Sequence, residues 1–340
     1  MATIEDVARR AGVSRSTVSY ALSGKRSISI RTRERIEAAI ADLGFTPNAG
    51  ARALATSQTK VIGLFVQFFA DEFSPAMLQY ILPISDAARD AGYDILMVTD
   101  TDGPRALERV CASGMVDGVI LLNVGYEDAR LPVLTRMGRP GSMVGAPHHG
   151  PGDGDGFDVF DLDFPASGRL LVDHLAGLGH HEITLITPPE EVYARGGAYA
   201  WRFRDAVVER SAERGLDLRW QYGQTRQPGV SRQFHEILDA GAGTAMIIHN
   251  DAAVAALPPV LSARGVRVPD DLSVVGVYSE DFGRLFSLPY TAVETAPDDL
   301  GRLAVHALVQ RMGDPAGGPA PAVGFIAPRL VERGSTAVRG

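Results

Sequence analysis

From Lys60 onward the sequence alternates short apolar runs with helical segments, and this alternation restricts the possible folds more than any other feature. Strand 61–67, helix 76–91 closed by Gly92, strand 93–99, helix 105–113, strand 116–123, helix 131–137 and strand 142–145 form one run. After a Gly/Asp/Pro-rich loop at 147–156 a second run follows: helix 165–178, strand 182–187, helix 198–214, strand 217–222, helix 230–240, strand 244–248, helix 252–264 and strand 272–277. Short strands alternating with helices predict parallel sheets covered on both faces. Two such runs of about a hundred residues each predict two similar α/β lobes, with a ligand crevice at the carboxyl ends of the strands. Helix 297–312 and strand 323–325 come late. The expected division is 60–160 plus 293–322 for the first lobe and 161–292 plus 323–340 for the second.

The first 46 residues have a different texture and read as an all-α domain. Thr3 is placed to cap a helix, with Asp6 returning the cap, and Ile4, Val7, Ala8 and Ala11 make its apolar stripe. Gly12 supplies a left-handed turn and Val13 can plug the core. Ser14 caps a second helix, 15–22, with Val18 and Leu22 inward; Ser29 caps a third, with Ile36, Ala39, Ile40 and Leu43 inward until Gly44. Two short helices joined by a tight glycine turn are the mark of a helix-turn-helix. Residues 47–59 form a small-residue linker whose one large apolar side chain is Leu54, too short to be a stable helix alone in water.

Charge divides the chain at the same point. The whole sequence carries a formal −8, yet residues 1–60 hold ten Lys/Arg against five acids, or +5, which leaves −13 on the other 280 residues. A basic head on an acidic body is expected where only the head meets a polyanion. The single Cys111 allows no internal disulfide and fits a reducing compartment. The polar, acidic start has no apolar region of a cleavable signal, and the apolar runs are far short of the roughly 20 residues that span a bilayer. The expectation is a cytoplasmic protein without a membrane partner.

The string from Thr3 to Ser23, TIEDVARRAGVSRSTVSYALS, resembles the opening of the lactose-repressor (LacI/GalR) family of bacterial regulators. Residues 44–54, GFTPNAGARAL, resemble that family's third-helix exit and hinge helix. The family's punctuation recurs at Asp161-Leu-Asp163, Gly168-Arg169, 174–180, Asn250-Asp251, 264–276 and 329–336, so the resemblance covers essentially the whole chain. It implies a helix-turn-helix domain joined to a two-lobed, periplasmic-binding-protein-like sensing domain, acting as a homodimer on a pseudo-palindromic operator in double-stranded DNA. It also implies a transcription repressor controlled by a small molecule, a sugar, held between the lobes. Carried over, Arg15, Ser16 and Tyr20 fall where the recognition helix meets base edges, with Tyr20 one turn beyond Ser16 on the same face. Thr3, Ser14, Thr17, Ser19 and Arg26 complete the DNA-binding set, with Thr17 and Ser19 as phosphate or cap ligands. Asn48, Arg52 and Leu54 match hinge positions, Leu54 resembling a leucine that wedges between base steps in the minor groove.

For the effector, the resemblance points to Asn250 and Asp251 and to an arginine on a second-lobe helix. Arg202 is the nearest on that helix; another register puts Tyr199 there, and Arg195 is also close. The family's aromatic-Asp-Asp after Val-Val-Gly is replaced by Val277-Tyr278-Ser279, which removes a carboxylate expected to meet sugar hydroxyls. Phe69, Phe73, Tyr193, Trp201 and Tyr278 are candidates to stack on a ring face. No catalytic motif, cofactor motif or metal-ligand spacing appears: His148-His149 and His180-His181 lack a third ligand, and Gly152-Asp-Gly-Asp-Gly156 lacks the preceding strand that dinucleotide binding needs. The chain reads as no enzyme and as needing no metal or cofactor. A solute-binding protein would share the two lobes but not the basic head. An α/β enzyme with an accessory DNA-binding head would need a catalytic constellation. The hinge reading makes a prediction: Leu54→Ala should weaken binding to a specific operator far more than to random duplex, because a wedge stabilises one kinked site whereas phosphate contacts act on any sequence. Equal losses on both duplexes, titrated at one salt concentration, would contradict it.

Overall fold

Three helices make the N-terminal unit: α1 (Ile4–Ala11), α2 (Arg15–Ser23) and α3 (Ile30–Leu43). Thr3 and Asp6 close a capping box on α1, and Gly12 ends it at φ 63°. Ser29 caps α3 by accepting from the Thr32 amide at 3.2 Å, and Gly44 ends it at φ 56°. Val7, Ala8, Ala11, Val18, Ile36 and Ala39 are buried together. Arg35, on α3, donates to the carbonyls of Ala11 and Gly12 and so fixes the turn from which α2 departs. Arg10 of α1 pairs with Asp42 of α3 at 2.6 Å.

The structure is a computed structural model that describes residues 2–23, 26–45, 58–69, 74–147, 156–285, 290–313 and 320–339. Asn48, Arg52 and Leu54 of the predicted hinge, and Phe73, lie outside the described residues.

The first lobe contains β1 (Val61–Phe65), α4 (Ser74–Asp90), β2 (Asp94–Val98), α5 (Gly103–Ala112), β3 (Gly118–Leu121), α6 (Arg130–Met137), β4 (Gly141–Val144) and β5 (Asp158–Leu162). The second contains α7 (Phe164–Gly177), β6 (Glu182–Thr187), α8 (Glu190–Ala194), α9 (Ala198–Glu213), β7 (Asp217–Tyr222), α10 (Gly229–Asp239), β8 (Ala245–Ile248), α11 (Asp251–Arg264), β9 (Ser273–Val277), α12 (Glu280–Gly283) and β10 (Thr291–Val293). The chain ends with α13 (Pro297–Gly313), β11 (Val323–Ile326) and β12 (Leu330–Val331). The two six-stranded sheets have the orders β11-β5-β4-β3-β1-β2 and β12-β10-β9-β8-β6-β7. Neighbouring strands are parallel throughout, except for the antiparallel β10–β12 pair. Each sheet is covered on both faces, which explains the unbroken apolar runs in its strands.

The late elements correct the expected division. β11 pairs with β5 through Val323–Val159 to Ile326–Leu162, so residues 323–326 belong to the first lobe and not the second. Phe325 packs into the first-lobe core, and Gly324 leaves room for the Phe160 ring, to which a Cβ would approach within 3.1 Å. β5 itself, absent from the periodicity reading, spans the expected boundary near 160. The chain therefore crosses between sheets three times: from β5 to α7, from β10 to α13, and from β11 to β12. These three crossings are the chain's links between the lobes among the described residues, and Asp161, Phe164 and Thr295, beside the first two, line the cleft.

α7 and α9 pack tightly against each other, and Gly168 on α7 lets the α9 backbone come close. A Cβ at Gly168 would meet the Phe203 carbonyl oxygen and Val207 Cγ2, both at 3.0 Å. Gly168→Ala should therefore cost about 1–3 kcal/mol through forced separation of the helices. Urea unfolding should show a lower midpoint with an unchanged slope; an unchanged midpoint would mean that the helices part freely.

Candidate functional site

Two surfaces carry the predicted side chains. On the head, Ser14 Oγ accepts from the Thr17 amide at 3.1 Å and lies 2.8 Å from the hydroxyls of Ser16 and Thr17, so the start of α2 is tied down. Val18 is fully buried beneath this helix, which leaves Arg15, Ser16 and Tyr20 outward; Tyr20 is 37% exposed. The Arg26 guanidinium stands 6.0 Å above the Tyr20 ring. Thr17 and Ser19 sit at the flank of the face, partly covered. Thr3 is occupied by its cap, donating to Asp6 at 2.7 Å. A short helix anchored by its cap and one buried valine thus presents arginine, serine and tyrosine to solvent, the donors and acceptors that read base edges in a major groove.

The second surface is a cavity of about 180 Å³ between the lobes, at the carboxyl ends of both sheets. The first lobe contributes Phe68, Gln79, Tyr80, Asn123 and Asp161, and the second contributes Phe164, Tyr199, Arg202, His249, Asn250, Asp251 and Tyr278. Asp161 on β5 and Arg202 on α9 form an ion pair across the floor of the cleft, with side chains only 6% and 4% exposed. Asp161 also accepts from the amides of Ala146 and Leu162, both at 2.9 Å. Burial raises its carboxyl above the ordinary range, and the guanidinium and the two amides oppose that rise. Ser279 donates to Gln79, so α4 is stitched to the second lobe beside the same cavity.

Asp251 opens α11 and lines the cavity. Among the described residues no other side chain donates to its carboxylate, and burial pushes its pKa up to about 7. His249 sits among the rings of Phe203, Tyr199 and Phe164, with centroids 4.2, 5.5 and 5.6 Å away. Burial lowers its pKa to about 3, so it stays neutral.

The structure reassigns several predicted residues. Asn250 is spent on the scaffold: its carbonyl oxygen caps α11 at Ala253 (3.0 Å) and its amide reaches the carbonyls of Thr187 and Gln224. Tyr278 lines the cavity as a fixed wall, since its hydroxyl accepts from the Tyr290 amide at 2.8 Å and donates to the Tyr290 carbonyl. Gly276 and Gly283 hold the ring in place, which leaves it 1% exposed and unable to swing over a ligand. Tyr193 is not at the cavity; it is buried against Trp201 and Tyr222 at 5.4 and 5.2 Å. Arg195 is also outside it, 3.9 Å over the Phe69 ring in an adjoining cavity of about 310 Å³. Arg202 reaches the cavity already paired. The groups that periodicity did not single out are Gln79, Tyr80, Asn123, Asp161 as a cavity residue, and His249. The one available signal was chemical: a carboxylate inside the buried strand Val159-Phe160-Asp161-Leu162 demands a buried partner. Among the described residues no cluster of three or more His, Cys, Asp or Glu is arranged to hold a metal, and no helix is long and apolar enough to cross a membrane.

These two surfaces define a class: a two-lobed binding protein that carries a DNA-reading helix. Residues 3–48 match the profile "Bacterial regulatory proteins, lacI family", and residues 172–336 match that of a periplasmic binding protein-like domain. The chain is 31% identical over 319 residues to the HTH-type transcriptional regulator CelR of Thermobifida fusca, covering 91% of this chain and 92% of that one. Among solved structures, a lac repressor dimer bound to operator and the anti-inducer ONPF superimposes with a TM-score of 0.81 at 25% identity, covering 99% of both chains. A CelR–cellobiose complex does so at 0.67 and 26% identity, covering 98% of this chain and all of that one. The chain belongs to the lacI family of bacterial regulatory proteins, and it is a DNA-binding transcriptional regulator.

The raised pKa of Asp251 has a consequence for stability. A carboxyl whose folded pKa lies above its unfolded value favours the fold below the unfolded pKa, and that contribution is lost as pH rises through the folded value. The window here runs from about pH 4 to about pH 7. Asp251→Asn mimics the protonated form, so the variant's melting temperature should match the wild type's near pH 4 and exceed it by pH 8 in ligand-free calorimetry. A difference independent of pH would show that the carboxyl is well solvated.

Proposed function

We propose that this regulator is a cytoplasmic repressor that binds a pseudo-palindromic operator as a homodimer and whose operator affinity is set by a carbohydrate held in the cleft. The proposed division is a head at 1–46, a hinge at 47–59 and a sensing domain at 60–340. The observation that carries the reading is the cavity itself. Its walls come from both lobes and two of the three crossings lie beside it, so a ligand that contacts both lobes changes their balance and, through the chain at 58–60, the head. Thr59 and Lys60 donate to Asp117 of the first lobe at 2.7–2.9 Å, which ties the end of the linker to the moving body.

CelR is solved with cellobiose, which favours a sugar here. So does the lining: amides and hydroxyls from Gln79, Asn123 and Tyr80, an acceptor in Asp251, and the apolar faces of Phe68 and Phe164. The cleft reads as a binding site rather than a catalytic one, because Asp161 is paired with Arg202 and His249 is held neutral. Dimerisation is supported by Leu78 and Leu82, one turn apart on α4, and Met97 on the edge strand β2, which are 51%, 62% and 50% exposed.

Footprinting should reveal two half-sites related by a two-fold axis and spaced by about one helical turn or a multiple of it. Fluorescence anisotropy with that duplex should show one sugar changing the affinity by about 5–150-fold. A protected asymmetric half-site bound by a monomer, or an affinity that no sugar changes, would count against the reading.

A further inference from the structure

We propose that the cleft is selective for uncharged ligands, that Asp161 imposes this by neutralising Arg202, and that Asp251 is the ionisable side chain left without a side-chain partner to meet the ligand. This rests on the reading of the cleft as an effector site and narrows its ligand class. The charged groups lining the cavity among the described residues are Asp161, Arg202 and Asp251. The one cation there is not available to a ligand. Arg202 is committed to Asp161 and, through Nε, to the Ala198 carbonyl at 3.3 Å. Arg195, in the adjoining cavity, stacks on Phe69.

An anion entering this space has two options. It can pull Arg202 away from Asp161, which strands a carboxylate at 6% exposure with only two backbone amides to hold it. Otherwise it lies unpaired in a cavity that already contains Asp251. Both are costly where charges are poorly screened. A hydroxyl-bearing neutral ligand meets neither cost, and it supplies the donor that Asp251 lacks. A phosphorylated or carboxylated sugar is therefore rejected while the parent sugar is accepted. The discrimination is built from an internal pair rather than from a clash of shape.

The test is calorimetric titration of the full-length protein with glucose, ribose and cellobiose, with glucose 6-phosphate and ribose 5-phosphate, and with adenine and uracil. The wild type should take an uncharged compound and bind any phosphate ester at least about a hundredfold more weakly. Asp161→Asn leaves the guanidinium unneutralised, and the preference should narrow by about tenfold or more or reverse. Asp251→Asn should weaken the uncharged ligand about tenfold and narrow the same gap. Circular dichroism checks that each variant folds; if Asp161→Asn does not, the wild-type comparison and Asp251→Asn still decide. A wild type that binds a sugar phosphate as tightly as the parent sugar overturns the proposal, as does a folded Asp161→Asn with an unchanged preference. Binding of a nucleobase but of no sugar supports the charge rule and overturns the carbohydrate reading instead.

Discussion

The contact between Asp161 and Arg202 joins the two halves of the sensing domain at their deepest shared point. β5 lies in the first sheet and α9 packs on the second, so this pair is where the carboxyl end of one sheet is held to a helix of the other. A buried ion pair is weak evidence for stability, because desolvation consumes most of the attraction. It is strong evidence for registry: lobes set slightly apart would leave both charges buried and unpaired. The other cross-lobe contacts follow from that placement. Ser279 meets Gln79, and Gly125 and Gly197 form a backbone bridge, with the Tyr126 amide donating to the Gly196 carbonyl at 2.6 Å.

The loop that makes the backbone bridge is shaped by another buried arginine. Arg130 donates to Asp128 at 2.6 Å and to the carbonyls of Leu122 and Asn123, just after β3. Asp128 in turn accepts from the Gly125 amide at 3.1 Å, and the guanidinium holds its carboxyl below the usual range despite burial. Internal ion pairs at the ends of first-lobe strands thus fix loop geometry and lobe placement. Asp251 has no such side-chain partner among the described residues, and burial raises its carboxyl above the ordinary range.

The head follows a simpler logic. Its core is made of small and medium apolar side chains, with no large aromatic among the fully buried ones, and its helix ends are set by Thr3, Gly12, Ser14, Ser29 and Gly44. Caps and a narrow stripe suffice to orient α2, because Val18 anchors its inner side and Arg35 holds the preceding turn. The outward face is then whatever remains exposed, and Arg15, Ser16 and Tyr20 lie on it as the helical period of α2 implies.

The sequence by itself determined the local elements and the class of protein. Period and punctuation located most strands and helices, since each is decided by residues a few positions apart, and the N-terminal motif located the outward face of α2. Asn250-Asp251 placed two residues at the cleft by resemblance, although only Asp251 keeps a free side chain there. The tertiary structure decided the rest. β11 went to the first sheet because a four-residue apolar run carries no address beyond its fit against Phe160. Tyr193 was drawn away from the cavity by Trp201 and Tyr222, and Tyr278 became a fixed wall because glycines make room for its ring and the Tyr290 backbone claims its hydroxyl. Arg202 found Asp161 41 residues away and on the opposite lobe, a partnership set by how the three crossings fold back on one another and written in no local pattern.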